Sequence, residues 1–250
     1  MRPFISIFRV TLRQVVGGKR WIVLGLLALL PAVVMWFSSL DVSASEAVTR
    51  YQDAPLPTLL LLVLPVVALV IGSGALGDER RDGTLSFLLV RPIRRSTITA
   101  AKLAASWVSA TLIAGTAGAL AAGVLAFRAG TWSELVPTIV AVAVTAAGYT
   151  AVFMLLGHIT SRAVLIGLVY LFVWESGISF AAPSLANVSL SRIGLTAYVG
   201  LVPESASNLR EPLGSLAPGV GGAAAKALGI AVVCVLFGAF LLKRRDAAGE

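Results

Sequence analysis

Six apolar runs dominate the chain and leave it few folds to choose from. They cover Trp21–Phe37, Pro57–Gly77, Leu103–Phe127, Leu135–Gly157, Ala163–Ala182 and Ala223–Leu242. Each holds about 17–25 mostly apolar residues, the length a helix needs to cross a hydrocarbon core of roughly 30 Å. In lipid the backbone must satisfy its own hydrogen bonds, so such runs fold as helices. None alternates with period two, which excludes a β-barrel. The expected fold is an all-α polytopic membrane protein with six spans, one transmembrane domain over residues 1–250. At 58% hydrophobic residues, against roughly 45–50% in soluble domains, no room is left for a separate soluble domain.

The basic residues set the orientation. Arg2, Arg9, Arg13, Lys19, Arg20, six in the 78–102 stretch, Arg162 and Lys243-Arg244-Arg245 fall on one side, fifteen in all. Arg50, Arg128, Arg192, Arg210 and Lys226 fall on the other, five in all. That bias puts both termini and the 78–102 stretch in the cytoplasm, at a cell membrane. It also argues against a seventh span over Leu185–Val202, which would send the basic C-terminus outside. Those residues are expected as short helices packed on the outer face, in a loop before span six. The net charge of +8 therefore reports topology rather than nucleic-acid binding.

Before the first span, Phe4, Phe8, Leu12 and Val15 share one helical face while Arg9 and Arg13 share another. An amphipathic helix of this kind lies at the headgroup level of a membrane, with its arginines reaching to phosphate. Val42-Ser43-Ala44 has the small residues of a signal cleavage site. The apolar run before it is longer than a signal core and further spans follow, so the first helix is expected to be retained. Cys234 is the only cysteine, so no intrachain disulfide forms.

Between spans two and three lies a polar insert, Gly77-Asp78-Glu79-Arg80-Arg81-Asp82-Gly83-Thr84, running on through Arg91-Pro92-Ile93-Arg94-Arg95 to Lys102. It carries nine charges in a chain that is only 13% charged. Thr84 to Val90 suits two helical turns with Leu85, Leu88 and Leu89 on one side, ended by Pro92. A short helix at the membrane face fits the groove of a partner. A solvated loop whose arginines only fix the topology fits equally well.

Within the spans, Gly115, Ala119 and Gly123 form one small-residue ridge, and Gly118, Ala122 and Ala126 a neighbouring one. Both suit close helix approach. Pro65 is expected to break span two mid-membrane, and Gly72-Ser73-Gly74 to soften it before the insert. Glu175, beside Trp174, is the acid well inside a span. A charged group there costs about 2.5–3.5 kcal/mol on insertion scales, so it must meet protein or water. A hydrogen bond to a neighbouring helix, a cation or proton site, and a marker in a substrate path remain open. No catalytic constellation is visible: His158 is the only histidine, and there is no G-x-x-x-x-G-K-[ST] phosphate loop. No cofactor or metal is expected in this chain.

The insert resembles that of the ABC-2 family of ABC-transporter permeases in Glu79, Gly83-Thr84-Leu85, Leu88-Leu89, Pro92, Arg95 and Lys102. The plan is similar too, with its amphipathic start, six spans and long loop before span six. Tyr170–Gly177, with Trp174-Glu175, looks like the bacterial and archaeal branch that includes copper-maturation permeases. The resemblance implies an exporter's membrane subunit that is not itself an enzyme. Its insert would be a coupling helix seated in a cleft of a separate ATPase. Leu85, Leu88 and Leu89 would enter the cleft, and Glu79, Arg91, Arg94 and Arg95 would meet its charged rims. It further implies two permease copies, alike or different, and two ATPase subunits that bind ATP and Mg²⁺. Two other readings stay open: a carrier driven by ions or protons through Glu175, and a non-transporting membrane scaffold.

Overall fold

Pro65 and Gly72-Ser73-Gly74, expected to interrupt the second apolar run, shape its helix without breaking it. The computed structural model describes residues 2–16, 20–40, 42–81, 93–178, 189–202, 209 and 219–248, and among these every regular element is helical. The elements are α1 (Arg2–Val16), α2 (Arg20–Ser38), α3 (Ala44–Asp53), α4 (Leu64–Arg81), α5 (Arg95–Ala129), α6 (Leu135–Ile159), α7 (Ala163–Val169), α8 (Ser191–Val199) and α9 (Gly219–Ala248).

Five stretches are long and apolar enough to cross a membrane: Arg20–Ser38, Glu46–Arg81, Arg95–Ala129, Leu135–Ile159 and Gly219–Lys243. Ala163–Glu175 is apolar but shorter. The rest of the expected fifth span, 179–182, lies outside the described residues, as does 185–188 of the outer loop.

The second span begins earlier and ends later than Pro57–Gly77. Ser43 caps α3: its hydroxyl accepts from Glu46 N, and Glu46 in turn accepts from Ser43 N, a reciprocal capping box. Helical structure then runs almost continuously to Arg81. Pro65 does not break it. The Pro65 ring would crowd the preceding turn of an α-helix and offers no N–H to it. That strain is absorbed in a wide π turn over Thr58–Val63. The Gly72-Ser73-Gly74 segment is packed rather than soft. A Cβ at Gly72 would come within 3.1 Å of the Thr150 carbonyl oxygen, and one at Gly157 would overlap the Ser73 carbonyl oxygen. Close approach of α4 and α6 is what these glycines permit.

α6 is the centre of the bundle, packed against α4, α5, α8 and α9. Of the two small ridges on α5, the one containing Gly118 makes the tighter contact. A Cβ there would lie 2.8 Å from Thr138 Cγ2 and 3.0 Å from Leu59 Cδ2, whereas Gly123 faces open space. α2 and α9 sit at the periphery, with Ile22, Val23, Leu26, Val233 and Leu236 all more than half exposed.

α1 forms as the amphipathic pattern indicates, but its inner face is covered by protein. It packs along α5 with Thr11 buried and Phe4, Ile7, Phe8 and Leu12 half-buried. Arg9 and Arg13 are exposed on its other side, together with Ile5 and Val10.

α8 departs furthest from expectation. It does not lie over the outer face; it is inserted into the bundle, nearly every residue buried. A Cβ at Gly148 would sit 3.3 Å from Leu190 Cδ2, Gly194 abuts Thr145, and Tyr198 bonds Glu134. α8 thus runs beside the half of α6 nearer Leu135, and its first turn lies about 20 Å along α6 from that end. Gly and Thr on α6 and Gly194 on α8 leave the room for it.

Candidate functional site at the base of the insert

Residues 82–92, and with them Gly83, Thr84, Leu85, Leu88, Leu89, Arg91 and Pro92, lie outside the described residues. The roots of the insert are the last turn of α4 and the first turns of α5. Asp78, Glu79 and Arg80 follow one another in that last turn. Successive helical residues point about 100° apart, so three neighbours in sequence reach three different helices. Arg20 Nη1, at the start of α2, donates to Asp78 Oδ2 at 2.7 Å. Lys102 Nζ of α5 is 2.6 Å from Glu79 Oε1. Arg80 Nη1 donates to the carbonyls of His158 and Ile159 at 3.0 and 2.9 Å, satisfying the exposed end of α6. Arg81 adds a second cation on Asp78.

These contacts differ in weight. The Arg20–Asp78 pair is largely exposed and worth at most about 1 kcal/mol. Lys102 is 1% exposed, and its Nζ also donates to the Ala75 carbonyl at 2.6 Å. Removing one partner of such a buried pair costs about 3–5 kcal/mol, because the other charge is stranded. Lys102 therefore offers a partner no surface. It ties α5 to α4 at the level where the insert leaves the bundle. Arg94 precedes α5 and is exposed, and Arg95 opens it half-buried.

Two more carboxylates are buried away from the insert, Glu175 near the middle of α6 and Glu134 at its far end. α7 continues as a π-helix over Tyr170–Ile178. In an α-helix residues five apart point about 140° away from each other; the wider turn aligns Tyr170 with Glu175, and the Tyr170 hydroxyl donates to Glu175 Oε1 at 2.8 Å. Glu175 also accepts from Ser189 Oγ (2.5 Å), Leu190 N (2.9 Å), Ser191 N (3.4 Å) and Ser191 Oγ (2.7 Å). The N-cap position of α8 is Leu190, whose side chain has no acceptor. Glu175 supplies one from another helix, where the α8 dipole also favours an anion. Trp174 beside it is half-buried, and its Nε1 has no hydrogen-bond acceptor among the described residues.

The other end of α8 is held by Glu134, which accepts from the Tyr198 hydroxyl. Glu134 lies one residue before α6, and burial pushes its carboxyl above the usual carboxylate range. The hydrogen bond from Tyr198, helped by the nearby polar side chains of Gln52 and Ser133, pulls in the opposite direction and does not offset the burial. Tyr51 and Thr138 share a buried 2.8 Å hydrogen bond nearby. Sequence reasoning singles out none of Tyr51, Gln52, Glu134, Thr138 or Tyr198. The one available signal is an acid directly before the apolar run at Leu135.

An all-helical bundle with five membrane-length apolar helices, its core acids held by cations or hydrogen-bond donors, is a polytopic membrane protein. The chain belongs to the ABC-2 transporter family: the model described as "ABC-2 family transporter protein" matches residues 7–247. No match is found among curated proteins. Membership makes it a membrane subunit of an ABC transporter and implies an ABC ATPase as its partner.

Proposed function

We propose that this chain is the permease of an ABC exporter in the cell membrane, with six crossings, cytoplasmic termini and a cytoplasmic insert. Leu85, Leu88 and Leu89 would dock in a cleft of a separate ATPase, with Arg91, Arg94 and Arg95 at its rim. One observation carries this reading: Asp78, Glu79 and Arg80, at the root of the insert, fasten α4 to α2, α5 and α6 respectively. A push on the insert would then be delivered to four helices at once. Glu79 and Lys102 act as the strut of that device rather than as its contact surface. The exposed apolar faces of α2 and α9 give area for a second permease copy, and ATP and Mg²⁺ belong to the ATPase. The test replaces Leu85, Leu88 and Leu89 together by Asp. ATPase copurification should be lost while the permease still inserts; an unchanged complex removes the docking role.

A carrier driven through Glu175 draws less support, since both carboxylate oxygens are occupied by donors from Tyr170, Ser189, Leu190 and Ser191. Transport by this chain alone, abolished by a proton ionophore, would favour that reading instead.

A further inference from the structure

We propose that a cavity at the insert end is a binding site for a phosphate group, carried by a phospholipid headgroup or free in solution. The cavity, about 190 Å³, opens between the ends of α4 and α6 and the start of α7. Its floor is backbone and small side chains, Ser73, Gly77 and Gly157. Its rim is Arg80, Arg81, Thr160 and Ser161.

Charge and donor inventory both point to an anion. Arg20 and Arg81 share the single carboxylate of Asp78, and Arg80 is bound to uncharged carbonyls. Among the described residues these three cations are set against one anion, and Arg162 follows directly on Ser161. Each guanidinium carries five N–H donors in a planar fork that matches phosphate oxygens. The Thr160 hydroxyl accepts from Arg162 N, which leaves its own hydrogen to donate. Among the described residues no acidic side chain lines the cavity.

The margin is apolar. Val164 lines the cavity at 40% exposed, with Ile159 and Leu165 49% and 63% exposed beside it. A free ion has no use for that wall, whereas acyl chains below a headgroup do. The level also fits, because here the apolar lengths of α4 and α6 give way to charge, as at the headgroup layer.

The site does not depend on ATPase docking, so it survives failure of the leucine test above. Its own test is native mass spectrometry of the full chain released from detergent, with phosphatidylglycerol and phosphatidylcholine as probes. In parallel, thermal unfolding is followed with and without inorganic phosphate. The wild type should retain phosphatidylglycerol, and Arg81→Gln with Ser161→Ala should weaken retention at least about tenfold, as expected when charged hydrogen bonds are lost. Ser161→Ala alone changes only an exposed side chain and should give a smaller loss, and Arg81→Lys should recover part of the binding. Protection by inorganic phosphate without lipid retention would identify the free anion as the source. Equal retention by the wild type and the double variant, with no protection by phosphate, overturns the proposal.

Discussion

The insert end and the surroundings of α8 hold their acids by different means. At the insert end the partner is a cation: Arg20 and Arg81 on Asp78, Lys102 on Glu79. Around α8 the bonds to Glu175 and Glu134 come from tyrosine and serine hydroxyls and from the amides of Leu190 and Ser191. A charge pair fixes distance and tolerates rotation. A carboxylate spread over several donors fixes direction as well. The first suits helices that must move together, and the second suits a short helix that must keep its angle inside the bundle.

The largest test of that contrast removes the hub at the start of α8. Glu175→Ala would leave the Leu190 and Ser191 amides and the Tyr170 hydroxyl without their acceptor, each costing about 1–3 kcal/mol when buried. Most of the protein should then be lost as aggregate on size exclusion. Glu175→Gln keeps one acceptor oxygen and should lose less.

At the insert end Lys102→Met should destabilise by about 3–5 kcal/mol, because it breaks the buried Lys102–Glu79 pair. Here the two regions should part. Adding Glu79→Leu to Lys102→Met should recover much of that loss, since an apolar pair can replace a buried ion pair. No single apolar partner can do the same for Glu175, whose donors include main-chain groups. Thermal unfolding in detergent of the single and double variants reads the difference. A double variant no more stable than Lys102→Met would mean that the strut model is wrong.

How much of this was legible in the sequence follows from the range of each interaction. The membrane-length helices and the amphipathic start were readable, because apolar length and a 100° period are local properties. The tolerance of Pro65 was not: a π turn shifts the hydrogen bonds by one residue and leaves no mark in composition. Glu79 and Lys102 both stood out as charges, but their pairing across the insert is a tertiary fact, so both looked like surface groups. α8 was misplaced for a related reason. The count of basic residues argues against a further span over Leu185–Val202 but says nothing of depth, and the acids that make the burial of α8 tolerable lie elsewhere in the chain. Glu175 was singled out because it interrupts a span; Glu134 sits at a span end, where an acid is commonplace.

That last position gives the smallest and most specific effect. Burial raises the Glu134 carboxyl above its ordinary 4.5. The folded state therefore holds this proton more tightly than the unfolded chain does. The stabilisation is full below the unfolded value and is lost as pH rises through the higher folded one. Glu134→Gln keeps an acceptor for the Tyr198 hydroxyl but cannot ionise. Wild-type stability relative to this variant should fall as pH rises above the ordinary carboxylate range, then level once Glu134 is ionised in both states. The effect comes from one proton's unequal binding in the two states and strands no buried group, so it should fall below that of either larger substitution. The opposite slope would mean that the hydrogen bond from Tyr198 and the polar groups beside it outweigh desolvation. In that case Glu134 would hold α8 as an anion, by charge-assisted bonds stronger than those a neutral carboxyl can make.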